Sequence, residues 1–275
     1  MFDFENPQFQ EIDGRRIAYH RVGSGEPLML VHGITTYSFI WRRIIPLLEP
    51  RYDVIAVDLL GCGDSDKPTG VDYSIKAQAD MLVKLMDAIG LDRVHLVTHD
   101  IGGGIGQIMV VDHPQRVSDL VLINSVAHDF WPVQPIISMR IPILRQLAMA
   151  VLDLGIMKAL IRRGIYHKDR VDDELLDLYM RPLRTREGRA GFLLLAKCID
   201  NRLLTSREEK IRGLELPVLI IRGDADPYLG PEISDFLHKM IRGSEIEVVP
   251  TGGHFIQEDE PELLSERILR FLDSN

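Results

Sequence analysis

Residues 94–104 read VHLVTHDIGGG, an apolar run that passes through His99 to one carboxylate, Asp100, and then to three glycines at 102–104. A short apolar run followed at once by a glycine-started helix predicts a sharp strand-to-helix turn, in which the middle residue is forced into a strained backbone and its side chain projects above the sheet. Side chains two positions away must be small, and here they are Thr98 and Gly102. Serine enzymes carry G-x-S-x-G at such a turn; this chain carries T-H-D-I-G. A carboxylate is already charged at neutral pH and attacks without a base to remove a proton.

The same pattern repeats on both sides of this stretch. LMLVHG (28–33), DVIAVD (53–58) and LVLIN (120–124) are buried-strand runs. Amphipathic helices are predicted at about 38–48, 80–89 and 102–111, and PVLII (217–221) and IEVV (246–249) resume the alternation, with helices near 231–240 and 261–272. Ahead of them, FQEI and RRIAYHRV flank Asp13-Gly14, the turn chemistry of a β-hairpin. The expectation is an α/β protein with a mostly parallel sheet buried on both faces. Between Val126 and Gly213 the alternation stops, and helices broken by Pro132, Pro135, Pro142, Gly155, Gly164 and Pro182 are expected to cover the carboxyl ends of the strands. The domain reading is therefore a core of 1–125 and 214–275 with a helical cap at 126–213. Apolar residues of LRQLAMAVLDLGIMKAL (144–160) are expected to line a hydrophobic cavity or to bury the cap on the core.

Composition limits the partners. The 275 residues are 45% hydrophobic and 27% charged, with a formal charge of −9. That balance fits a globular chain and argues against nucleic acid or an anionic membrane, despite the basic pairs Arg42-Arg43 and Arg162-Arg163. No run approaches the ~20 apolar residues of a membrane span, and no basic start followed by an apolar run heads the chain, so a cytoplasmic location is expected. Cys62 and Cys198 lack CxxC spacing and are read as free thiols. His95 and His99 lie on a strand without a third ligand, so no metal site is expected, and the glycine triplet lacks the lysine of a phosphate loop.

A carboxylate nucleophile leaves an alkyl-enzyme ester, which must then be hydrolysed. A histidine held by a second carboxylate activates water for this, and two backbone N–H groups stabilise the oxyanion. His254, in TGGHF, follows the last strand, and Asp226 follows PVLII; Asp224 and Asp129 are alternative partners for the histidine. The backbone N–H groups of Ile34 and Ile101 are the candidate oxyanion donors. The order nucleophile, acid, histidine is that of α/β-hydrolases.

At these residues the chain resembles the α/β-hydrolase superfamily, and within it the aspartate-nucleophile branch of haloalkane dehalogenases and epoxide hydrolases. HGITTYSFIWRRI (32–44), DLLGCGDSDKP (58–68), THDIGG (98–103) and GHFIQEDEP (253–261) carry the resemblance, with YMRP (179–182) in the insertion. It implies a cofactor-free hydrolase acting on a small hydrophobic substrate with water; a homodimer is compatible with it. Dehalogenases of this branch hold the halide with a tryptophan after the nucleophile and often an asparagine after the HG pair, or a second cap tryptophan. Here the first two positions are Ile101 and Ile34, and fluoroacetate-type enzymes carry an arginine where Ile101 stands. Epoxide opening needs only the backbone N–H groups there, together with a cap tyrosine as acid, so epoxide hydrolysis is the favoured expectation. Trp41, Trp131, Tyr166 and Tyr179 are the candidate substrate-binding side chains. The rivals are dehalogenation, a lyase or isomerase reaction with Asp100 as base, and a ligand-binding receptor on the same fold.

Overall fold

The computed structural model describes residues 3–131 and 155–275. Pro132, Pro135, Pro142 and most of 144–160 lie outside the described residues. An eight-stranded sheet in the order β1-β2-β4-β3-β5-β6-β7-β8 organises the chain. Its strands are β1 (Gln8–Ile12), β2 (Arg15–Gly23), β3 (Glu26–Val31), β4 (Tyr52–Val57), β5 (Val94–Asp100), β6 (Val117–Ser125), β7 (Val218–Gly223) and β8 (Glu245–Val249). β1 and β2 form the hairpin, closed by Asp13 and Gly14, both with positive φ (51° and 73°), as a tight hairpin turn requires. β2 runs antiparallel to β4, and every later pairing is parallel. Every residue of β4 is buried, which is why the central strands read as continuous apolar runs and do not alternate.

The predicted helix at 38–48 is two pieces, a tight turn at Ser38–Trp41 and a helix α1 at Ile45–Leu48. Pro46 sits in the first turn of α1, where its missing N–H is harmless; further inside a helix it would have broken the ladder. α2 (Ile75–Ala88) begins five residues earlier than the apolar pattern suggests, because the Ser74 side chain caps it by accepting the Ala77 N–H. α3 (Ile101–Asp112) follows β5 with no intervening loop and packs on β5, β6 and α2.

Between β6 and β7 the described chain is helical: α4 (Ile156–Gly164), α5 (Asp173–Met180), α6 (Arg186–Cys198) and short turns as far as Arg212. This insertion docks on loops at the carboxyl ends of the strands. Tyr37 Oη donates to Leu178 O (3.2 Å), Tyr228 Oη donates to Leu160 O (2.6 Å), Phe255 N donates to Gly164 O (3.2 Å), and Arg181 pairs with Asp64 (2.5 Å). Among the described residues no helix is long and apolar enough to cross a membrane. Two further helices, α7 (Pro231–Met240) and α8 (Pro261–Asp273), complete the described elements that matter below.

Candidate active site

Asp100 ends β5 with φ 54° and ψ −121°, a conformation that non-glycine residues avoid. Tight packing behind the turn holds it there. A Cβ on Gly102 would lie 2.6 Å from Val31 O, and one on Gly103 would lie 1.9 Å from Ser125 Oγ, so only glycine lets α3 come this close to β3 and β6. The carboxylate is thereby presented at the top of the sheet, 7% exposed.

Asp100 Oδ2 accepts the Ile34 N–H at 2.9 Å, and the Ile101 N–H, next in the chain, lies close enough to favour the charged carboxylate. Ile34 is held in place by its neighbour: His32 Nδ1 donates to Gly33 O (2.7 Å) while Nε2 accepts the Leu59 N–H (3.0 Å), a pattern only the neutral ring can make. Burial pushes the Asp100 pKa up, outweighing the nearby His254 charge and the two N–H groups.

His254 Nδ1 lies 2.8 Å from Asp226 Oδ2. Because the carboxylate only accepts, Nδ1 carries the proton and Nε2 is the free base position. Asp226 is itself fixed, its Oδ1 accepting the N–H groups of Tyr228 (2.8 Å) and Leu229 (3.1 Å). Burial pushes the His254 pKa down, but the charge and hydrogen bond of Asp226 and the charge of Asp100 outweigh it and leave it raised. The two alternative acids lie elsewhere: Asp224 pairs with Arg222 and Asp129 with His128, and both carboxylates are more than half exposed.

The structure separates the four candidate substrate-binding side chains. Tyr179 is buried, its ring edge-on to Phe39 (4.8 Å) and Phe255 (5.0 Å), and its hydroxyl has no partner among the described residues. It shares a narrow cleft with Ile34, Cys62, Leu183 and Phe192. Tyr166 is 44% exposed with its ring against His167, so it is a surface side chain; the turn after α4 buries the Tyr166 main chain and not its ring. Trp41 is completely enclosed in the core, on the tight turn before α1. Trp131 is buried, but its indole N–H is already donated to His128 O at 3.1 Å.

Two supports escaped the sequence reading. Asn124, near the end of β6, bonds the backbone of the His254 loop at Gly253 and of β7 at Gly223, and Asp259 accepts the N–H groups of Gly253 (2.8 Å), Tyr166 (2.9 Å) and His167 (2.9 Å). Asp259 thus joins the insertion to the histidine loop. In the sequence each looks like an ordinary loop or helix-end polar residue. The only signal was position: both lie close to a strand end or to the histidine.

Residues 26–151 match the family described as alpha/beta hydrolase fold. A haloalkane dehalogenase of Sphingobium indicum is 30% identical over 98% of this chain and 96% of its own. The chain belongs to the α/β-hydrolase family. It is a hydrolase of this fold. A 2-hydroxy-6-oxo-2,4-heptadienoate hydrolase of Pseudomonas putida is also 30% identical, over 88% of this chain and 87% of its own. Among solved structures, an α/β-hydrolase fold protein from Burkholderia ambifaria superposes with a TM-score of 0.88 at 30% identity, covering 98% of both chains. Two α/β-hydrolases with different substrates are thus equally similar, and the choice of reaction rests on the site.

Proposed function

We propose that Asp100 is the nucleophile of a two-step, cofactor-free hydrolysis and that the bond it opens is a carbon–oxygen bond of a small hydrophobic epoxide. The observation that carries the nucleophile is the Asp100 carboxylate itself, held with Oδ2 on the Ile34 N–H and flanked by a histidine whose ring is oriented by Asp226.

In the first step Asp100 Oδ1 attacks a ring carbon, the carbon–oxygen bond of the ring breaks, and the alkoxide takes a proton from the Tyr179 hydroxyl. In the second, His254 Nε2 removes a proton from water as the water oxygen adds to Asp100 Cγ. The oxyanion forms on the N–H groups of Ile34 and Ile101. Collapse breaks the bond between Cγ and the alkyl oxygen, and the departing alkoxide takes the proton from His254. Asp100 keeps one oxygen from water and gives up the acid proton that came with it, the product is a diol, and Tyr179 recovers that proton by way of solvent.

Epoxide opening is favoured over halide release by the donors available. Ile34 and Ile101 have no side-chain N–H, and that of Trp131 is spent on His128 O. A halide leaving in that setting would be desolvated without a side-chain donor from these residues. The unpartnered Tyr179 hydroxyl is the kind of donor an alkoxide needs. Dehalogenation is the second reading, favoured by the likeness to the Sphingobium enzyme.

Parallel assays with styrene oxide and bromobutane, reading diol and bromide, separate the two. Asp100→Asn is expected to abolish both reactions, and Tyr179→Phe to lower diol formation on the order of a hundredfold. Bromide release exceeding diol formation, with Tyr179→Phe without effect, would reverse the preference.

A further inference from the structure

The His254 carbonyl oxygen is held by two side-chain donors from neighbouring strands. Asn124, the last but one residue of β6, with φ 39°, donates from Nδ2 to His254 O (2.9 Å) and to Gly253 O (2.9 Å), while its Oδ1 accepts the Gly223 N–H at the end of β7 (2.8 Å). His99, one residue before Asp100, donates from Nε2 to the same His254 carbonyl at 2.9 Å. All three side chains are buried. The loop is pressed against β7 so closely that a Cβ on Gly223 would lie 2.4 Å from Gly253 O.

Because a carbonyl only accepts, His99 Nε2 must carry the proton. Its Nδ1 is buried without a partner, and burial drives the His99 pKa well down, so the ring stays neutral and keeps this one donor. Among the described residues neither Asn124 nor His99 has a side-chain hydrogen bond to the Asp100 carboxylate. What they share is the main chain of His254, whereas Asp226 controls its ring. The histidine is therefore fixed at two independent points.

We infer that Asn124 and His99 are positioning residues that place His254 for its attack on the ester, so that they govern ester hydrolysis and not alkylation of Asp100. The inference rests on the two-step reading above. In that reading His254 is needed only after the ester has formed, so displacing its backbone slows only the second step. Displacements well under a bond length matter here, since proton transfer to Nε2 requires hydrogen-bond contact with the attacking water.

The two steps are separable by following ester formation and decay on the intact protein by mass spectrometry, after mixing with excess styrene oxide. Asn124→Asp retains an acceptor for the Gly223 N–H but sets oxygen against two carbonyls; His99→Phe keeps the ring and removes the donor. Both are expected to form ester within about twofold of the wild-type rate and to hydrolyse it about tenfold more slowly or worse. His99→Gln, which returns an amide N–H, is expected to recover part of the loss. A purely structural role would lower both steps alike or neither, and either result overturns the inference. If Asn124→Asp does not fold, the His99 pair carries the test. His254→Gln separates the two claims: if it accumulates ester while the other variants behave as wild type, only the positioning role fails. If it accumulates none, the ester reading fails as well.

Discussion

His254 Nδ1 and Asp226 Oδ2 stand 2.8 Å apart, and the second oxygen of that carboxylate is bound by the backbone of Tyr228 and Leu229. An acid held at both oxygens fixes the ring and selects the tautomer with Nε2 bare. Asp226→Asn retains the shape but removes the charge, and turnover is expected to fall by roughly a thousandfold to ten-thousandfold. Asp224→Asn and Asp129→Asn, on exposed carboxylates, are expected to stay within about twofold, as exposed charges contribute little. Steady-state kinetics of the three variants checks the assignment, and a crippled Asp224→Asn with an active Asp226→Asn would reverse it.

The pH profile follows from the same contact. In the proposed reaction ester hydrolysis needs neutral His254, so its rate is expected to fall as acid protonates the ring. In the free enzyme Asp226 and Asp100 outweigh burial and lift the pKa above the ordinary 6.5; in the ester Asp100 carries no charge, so the acid limb of kcat is expected to lie below the pKa that His254 shows in the free enzyme. In Asp226→Asn the main upward push is gone and burial remains, so the limb moves to lower pH. For stability the sign is set by a folded pKa above the unfolded one: the stabilisation is complete below 6.5 and is lost as pH rises through the folded pKa. Unfolding titrations of wild type and Asp226→Asn across that window are expected to converge toward alkaline pH.

Gly33 is a steric requirement of the Asp100 carboxylate in its observed position. A Cβ there would lie 2.6 Å from both Asp100 Cβ and Oδ2. Gly33→Ala is expected to turn the carboxylate off the Ile34 N–H and to suppress ester formation, while stability falls by only about 1–3 kcal/mol. Mass spectrometry of the ester together with urea unfolding distinguishes this from general unfolding.

Beneath the histidine loop, Arg42 grips Glu258 with two hydrogen bonds (2.6 and 2.9 Å), and the Glu258 side chain is only 2% exposed. Arg42→Met leaves that carboxylate buried without its counter-charge and is expected to cost about 3–5 kcal/mol. Adding Glu258→Leu removes the stranded charge and is expected to restore much of the loss. Urea unfolding of the single and double variants reads both effects.

The alternation of apolar runs and amphipathic helices made the sheet legible in the sequence, because strands buried on both faces leave an unbroken hydrophobic signature. Asp100, Asp226 and His254 could be singled out because one ends such a run and the other two stand on the loop that follows one, where side chains converge beyond the strand ends. Orientation inside the insertion was not legible. Tyr166 and Tyr179 are the same residue type in the same insertion, yet the first, on the turn after α4, has an exposed ring and the second, on α5, has a ring enclosed by Phe39 and Phe255. Nor does a sequence reveal which donors are already used: Trp131 looked free, but its N–H is bound to a carbonyl three residues back. Asn124 and Asp259 were missed because their partners are backbone atoms, most of them far away in the chain, which leave no side-chain pattern to read.

The aspartate ester is tested most directly by a single turnover in heavy-oxygen water with enzyme in excess over styrene oxide, followed by mass analysis of the peptide spanning 98–104 and of the diol. The account predicts that solvent oxygen enters the Asp100 carboxylate and is absent from the first diol released. Label in that diol, with Asp100 unlabelled, would mean that water attacks the substrate directly and would contradict the account.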